Sequence, residues 1–432
     1  MKDVSEIISW LIEGAHNAPG PQALVEELCG RLIAAGIPLE RAAFFVRTLH
    51  PDIAGRSLIW RFGQPVELAE AGYDLLESEQ FLTNPVVWVQ RTGMALRRRL
   101  DGDAVAGEFP FLGELRSAGF TDYLATPLRF GDGQIPVASW ATRQPTGFAD
   151  DDLAALTIVA PPLARVAEIR GLRRTSATLL ETYIGRQAGA RILAGHIRRG
   201  DTQSIHSAIW LSDLRGFTGL ADRVAPQELI ALLNRYFDCQ VPAIEARDGE
   251  VLKFMGDGLL AIFPIADGGP GYGCATALAA AREARANILA LRRELTAERS
   301  PELPFSLALH IGEVLYGNVG GGRRLDFTVI GPAVNLTARL ERLARDLGRS
   351  VIASAEFADM CGETLAPLGS YALRGIAAAQ LVFGLAEESN LRSATSTYSA
   401  ASIAPHSTTT VQCIDPSRPA AWATSRAPDG SP

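Results

Sequence analysis

The chain has 432 residues, 47% of them hydrophobic and 21% charged, so a folded protein of two or three domains is expected. Its 48 acidic residues against 41 basic ones leave a formal net charge of −7, which argues against bulk nucleic-acid binding. The longest apolar stretch, 153–167, is interrupted by Pro161-Pro162 and Arg165, so no membrane span is expected. The start, Met1-Lys2-Asp3-Val4-Ser5-Glu6, lacks the basic opening and unbroken apolar core of a signal peptide. The five cysteines (Cys29, Cys239, Cys274, Cys361 and Cys413) are scattered and odd in number, without metal-ligand spacing. A reducing cytoplasm is the expected compartment.

Residues 1–150 read as a mixed α/β domain. Helical periodicity covers 4–13 and 23–35, and short β-like runs cover 42–49 and 57–62. Runs at 122–130 and 136–141 repeat the hairpin pattern around Gly131-Asp132-Gly133. Helices, hairpin, variable middle and second hairpin resemble a GAF-type sensory domain, which implies an unidentified small-molecule or protein signal. The basic run Arg97-Arg98-Arg99 suits an anionic ligand or, more plainly, a solvated face.

Residues 151–200 are rich in Ala, Leu, Arg and Glu and read as helical. Proline can start a helix but is excluded from its interior, so Pro161-Pro162 is expected to mark a boundary. The segment suits a signalling helix or dimerising stalk, or an ordinary linker helix. Residues 388–432 turn to Ser, Thr, Ala and Pro and are expected to be disordered.

The second domain is placed at 201–387. An apolar strand over 205–211 ends at Ser212-Asp213, and Pro226 opens an amphipathic helix over 226–246. Two β runs, 250–255 and 259–263, flank Gly256-Asp257-Gly258 as a hairpin. A helix over 272–299 follows, then strands over 305–311 and 325–330. The order strand, helix, strand, strand, helix, strand is ferredoxin-like βαββαβ, an α+β arrangement. That topology sets the first strand beside the hairpin, so that Asp213 and Asp257 converge. Paired carboxylates on rigid elements suit two hard cations such as Mg²⁺, which share their oxygen ligands with substrate phosphates.

Three motifs occur in this region: Ser212-Asp213-Leu214-Arg215-Gly216-Phe217-Thr218, Lys253-Phe254-Met255-Gly256-Asp257-Gly258, and Thr328-Val329-Ile330-Gly331-Pro332-Ala333-Val334-Asn335-Leu336-Thr337-Ala338-Arg339. Their order and content resemble the class III adenylyl and guanylyl cyclase family. The resemblance implies that Asp213 and Asp257, with the Leu214 carbonyl, hold two Mg²⁺ or Mn²⁺ ions. It assigns Lys253 and Thr328 to the purine, and Phe217 and Thr218 to substrate binding. Asn335 and Arg339 would orient the ribose and stabilise charge on the α-phosphate, and Arg374 would meet the terminal phosphate.

A Lys–Thr pair offers a donor to adenine N1 and an acceptor to its N6 amine. Guanylyl members of the family usually carry Glu and Cys there, so ATP is the expected substrate and 3′,5′-cyclic AMP the product. The family divides each site between two subunits, which implies a homodimer. The rivals are a guanylyl or dual-specificity cyclase and a catalytically inactive nucleotide-binding module. The Gly-Gly-Asp/Glu-Glu-Phe signature of a diguanylate cyclase is absent from the sequence. The run 317–324 lacks the Gly-Lys-Ser/Thr of a P-loop and reads as a hairpin arm; His310 reads as structural.

Overall fold

The computed structural model describes residues 2–102, 109–265, 269–301, 303–322 and 324–388. The expected disordered tail from 389 onward lies outside the described residues, as do Arg323 of the glycine-rich arm and Cys413. The other four cysteines are free thiols. Among the described residues no helix is long and apolar enough to cross a membrane.

Residues 41–142 build a six-stranded antiparallel sheet from β1 (Arg41–Arg47), β2 (Gly55–Arg61), β3 (Gln64–Ala71), β4 (Leu96–Arg99), β5 (Asp122–Pro127) and β6 (Val137–Thr142). Their order is β3-β2-β1-β6-β5-β4. The helices Ser5–Ile12 and Pro21–Ala34 stand where periodicity placed them. They bury Leu11 and Leu28 in one apolar cluster with Phe44 and Trp140 of the sheet. A cavity of about 1080 Å³ lies between these helices, the sheet and the following long helix, with Leu24, Phe44, Leu58 and Val166 among its walls.

β3 and β4 were not expected from sequence. β3 is largely exposed and charged, and β4 is the arginine run itself. Arg97 is more than a solvated side chain. Its Nη2 donates to the fully buried Asp122 carboxylate at 2.7 Å and to the Phe148 carbonyl at 2.8 Å. A buried carboxylate needs such a partner, and this one finds it in the neighbouring strand.

Pro161 and Pro162 do not mark a helix boundary; they lie inside one helix, Asp150–Ile184. Each proline removes one backbone hydrogen bond, at a cost of about 3 kcal/mol. The carbonyls left over belong to Thr157 and Ile158, both on the solvent side, where water can bond them. The opposite face buries Leu156, Val159, Leu163 and Val166 in the N-terminal core, which holds the helix through the double proline. The helix ends at Gly185 (φ 90°), and a second helix, Arg186–Leu193, follows.

The second sheet contains β7 (Thr202–Leu214), β8 (Glu250–Met255), β9 (Gly258–Pro264), β10 (Phe305–Gly321), β11 (Arg324–Ile330), β12 (Val351–Ser354), β13 (Ala366–Tyr371) and β14 (Gln380–Gly384). Its order is β13-β14-β12-β10-β7-β9-β8, with β11 hairpinned onto β10. The four central strands, β10-β7-β9-β8, form the expected ferredoxin-like arrangement, and β7 is antiparallel to both neighbours. The Pro226–Asp238 and Gly269–Ala297 helices cover one face. There Trp210, Tyr236, Phe263, Leu278 and Ile288 form the main core. Alternate residues such as Ile209 and Leu260 face the other side.

β7 and β10 run further than their apolar cores suggested. They pair without a break from Thr202↔Gly317 to Leu214↔Phe305, so Ser212 and Asp213 lie within the strand. Buried Ser212 is satisfied by Gln240 Oε1 at 2.6 Å, which lets a polar residue occupy the interior. The glycine-rich run forms the β10–β11 hairpin, in register to Gly321↔Arg324. His310 is buried, with Nδ1 2.8 Å from Ser354 Oγ, a structural role.

Candidate active site

Asp213 is the penultimate residue of β7, and Asp257 forms the β8–β9 turn with Gly256. Because β9 lies beside β7 with Ser212 opposite Leu259, the strand end and the turn come together. The two carboxyl groups are close enough for the Asp257 charge to act on Asp213. Gly258 is needed for this approach, since a Cβ there would sit 3.3 Å from Asp213 Oδ1 and 3.2 Å from the Ser212 carbonyl. Partial burial, then the charges of Asp257 and Glu341, push the Asp213 carboxyl up to about 7; Arg345 pulls it back down.

Leu214 ends β7 and is buried. Phe217 and Thr218 open the short Phe217–Ala221 helix; Phe217 packs on the main core and Thr218 is exposed. Beside this turn lies a cavity of about 480 Å³, bounded by Leu214, Gly216, Phe217, Leu220, Arg223 and Pro304.

Lys253 on β8 reaches across to β11, the strand that carries Thr328. Lys253 Nζ donates to Asp326 Oδ2 at 2.7 Å. Asp326 and Thr328 are two apart on one strand and so share its face. The Thr328 hydroxyl is buried and has no hydrogen-bond partner among the described residues. A hydroxyl in that state costs about 1–3 kcal/mol, which an arriving polar ligand can recover.

Asn335 and Arg339 share a face of the Pro332–Asp346 helix, with Asn335 exposed. The Arg339 guanidinium lies against the Leu373–Ile376 turn, where a Cβ on Gly375 would be 3.4 Å from Nη2. The neighbouring Arg374 is exposed. This pair points to a different sector of the helix from the residue that meets Asp213. Arg345 touches Asp213, and Arg339 lies six residues earlier, about 9 Å along the axis and about 120° around it.

Three residues of this region went unnoticed in the sequence. Arg345 Nη2 donates to Asp213 Oδ2 at 2.7 Å and to Glu341 Oε2 at 3.0 Å. Glu341 is buried and also accepts from Ser306 Oγ at 2.5 Å. The available signal was the i, i+4 spacing of Glu341 and Arg345. For Asp326 it was the alternation with Thr328.

Residues 202–376 match the profile of the adenylate and guanylate cyclase catalytic domain. This segment is a class III cyclase domain. The chain is 32% identical over 169 residues to adenylate cyclase 1 of Rhizobium meliloti, a match covering 38% of this chain and 25% of that protein. Among solved structures, the cyclase domain resembles the adenylyl cyclase CyaB from P. aeruginosa. That match has 25% identity and a TM-score of 0.39, covering 42% of this chain and 94% of that one. It also resembles the guanylyl cyclase Cya2, with 26% identity and a TM-score of 0.38, covering 44% of this chain and 97% of that one. The chain thus spans only a quarter to about a third of the length of the curated relatives it matches.

Proposed function

We propose that the chain is an adenylyl cyclase that forms 3′,5′-cyclic AMP and pyrophosphate from ATP in a two-fold homodimer. The observation that carries this reading is the meeting of Asp213 and Asp257 at one strand end inside a cyclase domain. Mutual repulsion of the two carboxylates is the signature of a site that wants cations. Among the described residues no three His, Cys, Asp or Glu side chains are grouped to hold a metal unaided. Two carboxylates and the Leu214 carbonyl are hard oxygen donors, which fit Mg²⁺ or Mn²⁺ that complete their shells with substrate oxygens. When bound, such ions would lower the pKa of the ribose 3′-hydroxyl and neutralise phosphate charge.

The chain's own side chains supply the rest. Lys253, held by Asp326, donates to adenine N1, and Thr328 accepts from the N6 amine. Asn335 and Arg339 orient the ribose and draw charge from the α-phosphate. Their distance from Asp213 within a protomer supports their reaching the partner's ATP, giving two composite sites per dimer. The Lys253–Asp326 pair also brings a carboxylate acceptor near the base, which favours GTP as the second reading.

Residues 1–150 are assigned to sensing, and the largely apolar cavity between them and the Asp150–Ile184 helix supports a small-molecule input. The test is to incubate the full chain with ATP or GTP and Mg²⁺ or Mn²⁺ and measure cyclic product. Cyclic AMP from ATP, lost in Asp213→Ala, is expected. A folded dimer that makes neither cyclic nucleotide would overturn the assignment.

A further inference from the structure

Asp213, Asp257 and Glu341 place three carboxylates around one guanidinium. Arg345 Nη2 is 2.7 Å from Asp213 Oδ2 and 3.0 Å and 3.2 Å from the two oxygens of Glu341. Glu341 is buried and fixed by Ser306, so it is the stationary anchor. Asp213 is the second, more accessible partner, and the Arg345 side chain is itself 41% exposed. The same nitrogen serves both carboxylates, so Arg345 can release Asp213 without losing its buried anchor.

We propose that Arg345 is an internal counter-cation that competes with the divalent metal for Asp213 and so sets the metal concentration at which the site fills. The proposal rests on the reading of Asp213 and Asp257 as metal ligands. A guanidinium N–H and a metal ion compete for the lone pairs of one carboxylate oxygen. Even after turning fully to Glu341, the guanidinium stays close enough to repel an arriving dication, weakened by its exposure to water. In the absence of metal the same contact offsets carboxylate repulsion and holds the strand end together. Arg345 therefore steadies the empty site at the expense of metal affinity. Arg342 lies on the same helix and is exposed. It carries the same charge without the Asp213 contact, and so serves as the control.

The test measures Mn²⁺ binding to the nucleotide-free full chain, by the electron paramagnetic resonance signal of free Mn²⁺ and by the Mn²⁺-induced rise in Tm. Arg345→Gln should tighten binding about tenfold, equivalent to about 1.4 kcal/mol, and enlarge the Tm rise. Arg342→Gln should change Kd by less than about twofold. Arg345→Lys keeps the charge but loses the planar fork, and should fall between wild type and Arg345→Gln; it carries the test if the glutamine variant fails to fold. Unchanged or weaker binding in Arg345→Gln, or equal tightening in Arg342→Gln, would overturn the proposal. Asp257→Asn separates the two levels of argument. If wild-type Mn²⁺ binding ignores that substitution, the metal reading itself fails and the counter-cation role falls with it.

Discussion

The separation of Arg339 from the Asp213–Asp257 pair can be tested by mixing two broken subunits. Asp257→Asn removes a metal carboxylate with little change in shape, and Arg339→Ala removes the guanidinium. Loss of one preorganised transition-state donor typically costs about 10²–10³-fold, so each homodimer should be nearly silent. In a mixed dimer with composite sites, one site receives both lesions and the other neither. Random assortment of equal amounts makes about half of the dimers mixed, each with one intact site of two. About a quarter of wild-type activity should therefore return. The assay is cyclic AMP formation by co-expressed subunits carrying different affinity tags, purified through both in sequence. That purification isolates mixed dimers, whose activity should be about half that of wild type. Activity equal to the sum of the two residual rates would refute the division of the site, and both residue sets would then act within one chain.

Lys253→Glu with Thr328→Cys should lower ATP turnover and raise the GTP/ATP ratio; an unchanged ratio means that these side chains do not read the base. Asp326→Asn should raise KM more than it lowers kcat, because it unpins Lys253 without removing it; steady-state kinetics decide. A shortened chain beginning at Gly200 should be less stable than one beginning at Leu180, because it lacks Ala188, whose N–H bonds buried Glu250 at 3.0 Å. Loss of charge-assisted bonds to Glu250 is worth about 1.5–3 kcal/mol, readable in urea unfolding. Burial holds the His310 pKa below its usual value, with His206 adding to the effect and Glu356 opposing it. The unfolded chain therefore takes up this proton first, and the stability term is whole above about pH 6.5 and falls away as pH drops. Thermal melts from pH 7.5 to 5.5 should show a smaller decline in His310→Gln than in wild type.

Much of this architecture was legible because its signals are local. The apolar alternation of β7, the Gly256-Asp257-Gly258 turn and the amphipathic Pro226 helix each follow from short-range preference, and their order leaves few topologies. What escaped depends on partners distant in sequence. Ser212 and Asp213 look like a strand terminus until Leu307 and Ser306 pair with them. Arg97 looks like surface charge until buried Asp122 arrives from the adjacent strand. The double proline looks like a stop because helix propensity carries no information about the core that the Asp150–Ile184 helix buries. Arg345 lies beyond the motif that ends at Arg339, and only folding brings it to Asp213.

The joint between the long helix and the second sheet has a mechanical consequence. Gly185 adopts a backbone angle open to glycine, and a Cβ there would press within 3.1 Å of both Glu250 Oε1 and the Val251 carbonyl. Beyond it, the N–H groups of Gln187 and Ala188 seat end-on upon the Glu250 carboxylate, which Tyr316 also grips at 2.7 Å. The start of the Arg186–Leu193 helix is thereby tied to the first residue of β8, directly after the end of the long helix. Glu250 begins the strand that carries Lys253 three residues later, so a piston stroke of one helical residue, about 1.5 Å, would arrive at the base-reading side of the site.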